Sequence, residues 1–233
     1  MEWGKVKTIL ILTFLCLNLL LGTQLWASRL GELPLIPDEA AEQVEELLRN
    51  KGIVLRQDIP KETPNVREIS IEYQQPGTGE RIVLEEAVPL VSSEKKWLSQ
   101  LEEHIPRLDQ YTVDWTRSDE RRIVMSQLFG GSPMFQVEMV LTVEDGRITS
   151  YTQNYAKVQP FSDQKEYSAL SAHRVVQFLA ESKLKDGAEI EEIRLGYHGQ
   201  LFNSDTQVLA PKWRITMANG DVYYVHAISG EME

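Results

Sequence analysis

The stretch from Val6 to Trp26, VKTILILTFLCLNLLLGTQLW, constrains this chain more than any other. It carries no charged residue between Thr8 and Leu21. Leu, Ile, Val and Phe fill most of it, and each contributes roughly −0.3 to −0.6 kcal/mol to insertion near a helix centre. A helix rising ~1.5 Å per residue over this length matches a bilayer core of ~30 Å. The sequence therefore predicts a transmembrane helix over residues 8–26, after an N-terminal segment 1–7. Lys5 and Lys7 precede the span, whereas only Arg29 follows it before Glu32, Asp38, Glu39 and Glu42. Basic residues near the ends of a span stay cytoplasmic, which places the N-terminus inside and everything after the span outside a cell membrane crossed once. Trp3 and Trp26 sit where an aromatic belt lies. A cleaved signal peptide fits less well, because Leu25 is large where cleavage after Ala27 needs a small residue. Phe14 and Leu15 are likewise too bulky to precede a lipid-modified Cys16.

The remainder is long enough for one large or two small domains. The whole chain has a formal net charge of −11, and its first 29 residues carry +2, so the rest carries −13. Such a domain is a poor ligand for nucleic acid; its charge is either a solvated face or suits a basic partner. The single cysteine, Cys16, lies in the span, so the outer region has no disulfide. That counts against a small stapled secreted module.

Residues 27–37 read as a linker, with Gly31, Pro34 and Pro37. Asp38 is a candidate N-cap for a helix over Glu39 to Lys51, whose Ala40, Ala41, Val44, Leu47 and Leu48 share a face. Short strands follow around Ile53 to Ile59, Val66 to Tyr73 and Arg81 to Val88. A second helix is expected from the Ser92/Ser93 cap to Pro106, presenting Trp97, Leu98, Leu101 and Ile105. Strands over Tyr111 to Trp115, Arg122 to Leu128, Phe135 to Val143 and Ile148 to Tyr155 come next, the last two joined at Asp145-Gly146. Asp163 and Glu166 have capping-box spacing, so a third helix is expected to open near Ser162 or Asp163. Strands over Ile190 to Tyr197, Trp213 to Met217 and Val222 to Ile228 finish the chain, with Asn219-Gly220 as a hairpin turn. The pattern predicts an α+β fold of repeated helix-plus-antiparallel-sheet units. Residues 38–158 hold two of them and residues 159–233 a C-terminal helix-plus-hairpin unit.

No catalytic motif appears: no phosphate loop, no H-E-x-x-H, no G-x-S-x-G. His104, His173, His198 and His226 lack a second ligand at helical or hairpin spacing, so they read as surface histidines rather than metal ligands. Glu102-Glu103 and Glu191-Glu192 are adjacent pairs whose side chains diverge, and they read as solvated charge. No catalytic, cofactor or metal residue is therefore assigned. Tyr197, Trp213 and Tyr223 lie on C-terminal strands, where they either line a partner surface or pack in the core.

Within the span, Asn18 is costly in lipid unless another helix satisfies it, and Gly22 lies one turn away on the same face. Leu10, Phe14, Leu17 and Leu21 follow the four-three spacing of a packed seam. These six residues form the expected face for a partner helix.

The opening Met1-Glu2-Trp3-Gly4-Lys5-Val6-Lys7-Thr8-Ile9, with Leu12-Thr13-Phe14-Leu15 and Leu17-Asn18, resembles the start of the YycI family. Leu195-Gly196-Tyr197, Pro211-Lys212-Trp213-Arg214-Ile215, the Tyr-rich last strand and Gly230-Glu231 are similar to its end. The last unit also resembles PepSY modules. The resemblance implies a bitopic membrane protein without catalytic activity. Together with the sister protein YycH, it would regulate the WalK sensor histidine kinase, and so the WalR response regulator of cell-wall metabolism. It implies WalK, YycH and the bilayer as partners; the acidic charge argues against nucleic acid, and no small-molecule ligand is inferred. The alternative is a membrane-anchored exported enzyme or peptidase inhibitor that works through the C-terminal sheet.

Overall fold

The structure is a computed structural model that describes residues 7, 11–15, 17–18, 37–74, 79–159, 165–200 and 206–232. The chain divides into two compact units, 1–43 and 44–233. In the first, residues 11–15 and 17–18 are helical, and Ile11, Leu12, Phe14, Leu15 and Leu17 are all exposed. No helix among the described residues is long and apolar enough to cross a membrane. The rest of the span expected over residues 8–26 lies outside the described residues.

The described elements make a mixed α+β, sheet-dominated protein. The helices are α1 (Pro37–Lys51), α2 (Glu94–Leu101) and α3 (Ala172–Ser182). The first strands are β1 (Val54–Leu55), β2 (Asn65–Val66), β3 (Ile69–Tyr73), β4 (Ile82–Pro89), β5 (Tyr111–Asp114), β6 (Arg122–Phe129) and β7 (Ser132–Glu144). They are followed by β8 (Arg147–Gln153), β9 (Ala156–Gln159), β10 (Tyr167–Ser168), β11 (Glu189–His198), β12 (Thr206–Met217) and β13 (Val222–His226). Eleven of these strands form one sheet in the order β4-β8-β7-β11-β12-β3-β9, with β6 also on β7, β5 on β6, β1 on β11 and β13 on β12.

Local chemistry sets most element ends. The β7–β8 turn places Asp145 at φ 50° and Gly146 at φ 70°, the left-handed pair that a two-residue hairpin turn requires. Helix α1 begins at Pro37, so Asp38 lies in its first turn rather than capping it. Pro suits that position because its missing N–H has no helical partner there. Helix α2 starts after Ser93 as expected but stops at Leu101, before Pro106. Helix α3 corrects the expected start near Ser162 or Asp163. Ser171 is the cap, its Oγ accepting from Arg174 N at 3.3 Å, and Tyr167–Ser168 pair with β2 instead. Residues 160–164 lie outside the described residues.

Strand β12 begins seven residues before Trp213 and runs through Pro211. The Pro211 carbonyl accepts from Ala227 N at 2.8 Å, on the side where β3 pairing with residues 206–209 has stopped and β13 pairing with 212–216 begins. A proline, which has no N–H to give, is tolerated at such an interruption.

Three apolar cores result. In one, α1 from Val44 onward and α3 cover a face of β11, β12 and β13, burying Leu48, Val176, Leu179, Ile215 and Trp213. Helix α1 from Val44 onward thus shares its core with the end of the chain, and β1 runs parallel to β11, Val54 opposite Glu189. A second core holds Trp97, Leu101 and Ile105 against β5 to β8. A third joins Ile69 and Ile71 to Met134, Val137, Tyr197 and Leu209.

Candidate functional site

Of the six residues expected on a transmembrane face, Phe14, Leu17 and Asn18 are described, and all three are helical and exposed. Leu10, Leu21 and Gly22 lie outside the described residues. Asn18 Nδ2 donates to the Phe14 carbonyl at 2.9 Å, one turn back.

Tyr197, Trp213 and Tyr223 do not come together on a surface. Trp213 is 1% exposed and donates its indole N–H to the Leu170 carbonyl at 2.8 Å, in the core beneath α3. Tyr197 is 6% exposed and meets Phe129 edge to face in the third core, with burial raising its phenol above the ordinary value. Tyr223 is half-buried against the first core. The expectation of a partner surface built on these aromatics therefore gives way to packing. Alternation along β12 points Trp213 toward the helices, where the apolar area is buried.

The opposite face of the C-terminal sheet carries chemistry that the sequence disguised. Arg194 and Arg214 lie directly opposite each other on β11 and β12. Like charges in that position repel, and the element packed over them relieves the repulsion. Arg214, 1% exposed, donates through Nη1 to Asp114 Oδ2 at 2.5 Å and through Nη2 to Asp114 Oδ1 at 2.9 Å. Its Nη2 also reaches Glu192 Oε2 at 2.6 Å. Its guanidinium lies 4.3 Å over the Phe135 ring. Gly196 makes that ring's position available, since a Cβ there would sit 2.5 Å from Phe135 Cζ and 2.5 Å from the Pro133 carbonyl oxygen.

Arg194 donates to the Val113 carbonyl at 3.2 Å and to Thr112 Oγ1 at 3.1 Å, meeting the side of β5 away from β6. Burial pushes the Asp114 carboxyl up, but the hydrogen bonds and charge of Arg214, with Thr116 and Arg117, outweigh it and hold the group below its ordinary value. Burial lowers Arg214, and Asp114 and Glu192 more than restore it, so it stays charged.

Glu192 is thus no solvated charge, which corrects the expectation for Glu191-Glu192. Its side chain is 16% exposed because β5 covers the polar face of β11. Alternation in Trp213-Arg214-Ile215-Thr216-Met217 showed which residues share a face, but not that another strand would cover it.

His198 stacks on Tyr224 with ring centroids 4.0 Å apart, and His226 Nδ1 accepts from Ile228 N and Ser229 N, both at 3.2 Å. No cluster of three or more His, Cys, Asp or Glu that could hold a metal ion occurs among the described residues.

One residue past Asp114, the chain opens a surface feature that the sequence reading did not single out. Trp115 is 53% exposed, yet its indole N–H donates to Glu94 Oε2 at 3.1 Å. It walls a groove of about 380 Å³ with Leu90, Val91, Ser92, Glu94 and Trp97.

The described residues thus offer contact chemistry in a sheet-dominated α+β fold: an exposed apolar helix face, a buried ion network and a tryptophan groove. The YycI protein family matches residues 80–228. The chain belongs to the YycI family, a family of regulatory proteins. No curated protein matches it. Among solved structures, it is similar to a crystal structure of an uncharacterized protein from Eubacterium rectale ATCC 33656, with 13% identity and a TM-score of 0.39. That match covers 62% of this chain and 57% of the other, so the chain spans little more than half of that protein's length.

Proposed function

We propose that this chain is a single-pass membrane protein that regulates the WalK sensor histidine kinase together with YycH, and through it cell-wall homeostasis signalling. The observation that carries the reading is the family match over residues 80–228. The exposed apolar helical residues Ile11, Leu12, Phe14, Leu15 and Leu17 support an anchoring helix over residues 8–26, with the N-terminus cytoplasmic and the remainder extracellular. The C-terminal unit, α3 with β11 to β13, is read as a PepSY-like module that serves binding, not turnover.

In this reading the span packs on the spans of WalK and YycH through Leu10, Phe14, Leu17, Asn18, Leu21 and Gly22. An amide has two N–H groups and an acceptor oxygen. One N–H of Asn18 goes to Phe14, and a neighbouring helix takes up the rest. Contact biases the kinase between two conformations, which needs only differential affinity for them. The test is membrane co-purification of the kinase and YycH with full-length protein, residues 1–37 alone, and a secreted form of residues 30–233. The expected result is that 1–37 retains the kinase and that Asn18→Leu weakens the retention. Kinase retained by 30–233 alone, or unchanged by Asn18→Leu, would move the interface off this helix face.

A further inference from the structure

We propose that the groove between Trp115 and Leu90 is a docking site for an arginine side chain carried by a partner protein segment. Three features of the site select that group. The first is the indole of Trp115, 53% exposed and anchored by its N–H on Glu94 Oε2 at 3.1 Å, so that over half of the residue is open to solvent while the ring is held. The turn that bears it is pinned on both sides. Asp114 is locked to Arg214, and Ser118 Oγ donates to the Asp114 carbonyl at 2.7 Å while accepting from Val124 N at 3.0 Å. An ordered, solvent-facing tryptophan is a good platform for a guanidinium, which stacks on aromatic faces within about 6 Å of the centroid.

The second feature is the charge at the groove. Glu94 uses one oxygen for Trp115, and no lysine or arginine pairs with it among the described residues. Lys95 and Lys96 are its neighbours on α2, but consecutive helix positions do not face each other. The carboxylate is left to receive a cation, and a planar fork that can bond it while lying on the indole is the geometry of arginine.

The third feature is the floor. Leu90, Val91 and the buried Trp97 line a volume of about 380 Å³, within the range of about 300–1,000 Å³ common to ligand pockets. It has room for the methylenes of an arginine and part of an apolar neighbour. A net charge of −11 favours a basic partner and sets copies of the chain against each other. This site does not depend on the membrane-anchored reading above, because both its walls lie in the 44–233 unit.

The experiment uses full-length protein in detergent micelles, labelled with ¹⁵N at tryptophan, and follows the indole N–H resonance of Trp115. The probes are the capped tripeptide acetyl-Leu-Arg-Leu-amide and its citrulline counterpart, which keeps the shape and loses the charge. The arginine peptide is expected to shift the Trp115 resonance saturably, and citrulline to weaken binding about two- to fivefold, the scale of one exposed charge-assisted contact. Glu94→Gln, which still accepts the indole N–H, is expected to remove the preference for arginine while the resonances of buried Trp97 and Trp213 stay in place. No saturable shift, equal binding of both peptides, or an arginine preference that survives Glu94→Gln would overturn the proposal. Self-association of the unaltered protein that Glu94→Gln abolishes would assign the groove to a second copy and overturn the heterologous partner.

Discussion

Replacing Arg214 with Met tests the ion network most directly. The substitution keeps much of the side-chain volume and removes the guanidinium. Asp114, 1% exposed, then loses both arginine bonds and keeps only the Thr116 hydroxyl at 2.9 Å, while Glu192 falls back on Arg194 at 3.8 Å. Breaking a buried pair by removing one partner costs about 3–5 kcal/mol, because the remaining charge stays out of water without compensation. For a body of this size about 2–4 °C of melting temperature accompanies each kcal/mol, so the midpoint is expected to fall by about 6–20 °C. The assay is thermal unfolding of full-length protein in micelles, followed by far-UV circular dichroism. The double variant Asp114→Leu with Arg214→Met supplies the control, since replacing both partners with apolar groups removes the stranded charge and is often near neutral. It is expected to recover most of the loss. A midpoint for Arg214→Met within about 2 °C of the unaltered protein would refute the reasoning, as would a double variant no more stable than the single one.

The same pair sets a pH dependence. The Asp114 carboxyl titrates below its unfolded value of about 3.9, so its contribution is full above that pH and is lost as the pH falls through the lower folded value. The melting-temperature gap between unaltered protein and Asp114→Asn is expected to stay constant from pH 7 down to about pH 4 and to narrow only below that; a gap that already closes between pH 7 and about pH 5 contradicts the assignment. Gly196→Ala is expected to destabilise by about 1–3 kcal/mol or more in urea unfolding, since the new methyl meets Phe135 and the Pro133 carbonyl and nearby packing must yield. An unchanged urea midpoint would refute the close packing of this site, since both the Phe135 ring and the Pro133 backbone would have to give way without cost.

What could be read from the sequence was what neighbours along the chain decide. Asp145-Gly146 marks its hairpin because the turn needs positive φ at both positions. The apolar stripe through Val44 and Leu48 marks α1 for the same kind of local reason. Asp163 and Glu166 misled because their spacing suggests a cap, whereas Tyr167 and Ser168 are committed to a strand about a hundred residues earlier in the chain. Glu192 reads as solvated charge in the sequence because strand alternation sorts residues by side and says nothing about what covers each side, and the same gap hides its pairing with Arg214. Trp115 and Glu94 are 21 residues apart, and only the packing of α2 against β4 and β5 makes them neighbours.

The sharing of one core by α1 and the last three strands fixes an order of assembly. The chain is made from its N-terminus, so the first helix exists long before Glu189, the partner of both Val54 and Arg56, has been added. Closing that contact spans 133 residues between Arg56 and Glu189, whereas the β6–β7 and β7–β8 hairpins close over a few residues each. Short loops close first, and distant pairings wait. The middle of the protein therefore folds while its beginning still shows an apolar stripe to water. A chain that ends early leaves that stripe without its partner strands. Completion of the last hairpin is thus what covers the apolar stripe of α1 from Val44 onward, and a truncated copy leaves that stripe open to water.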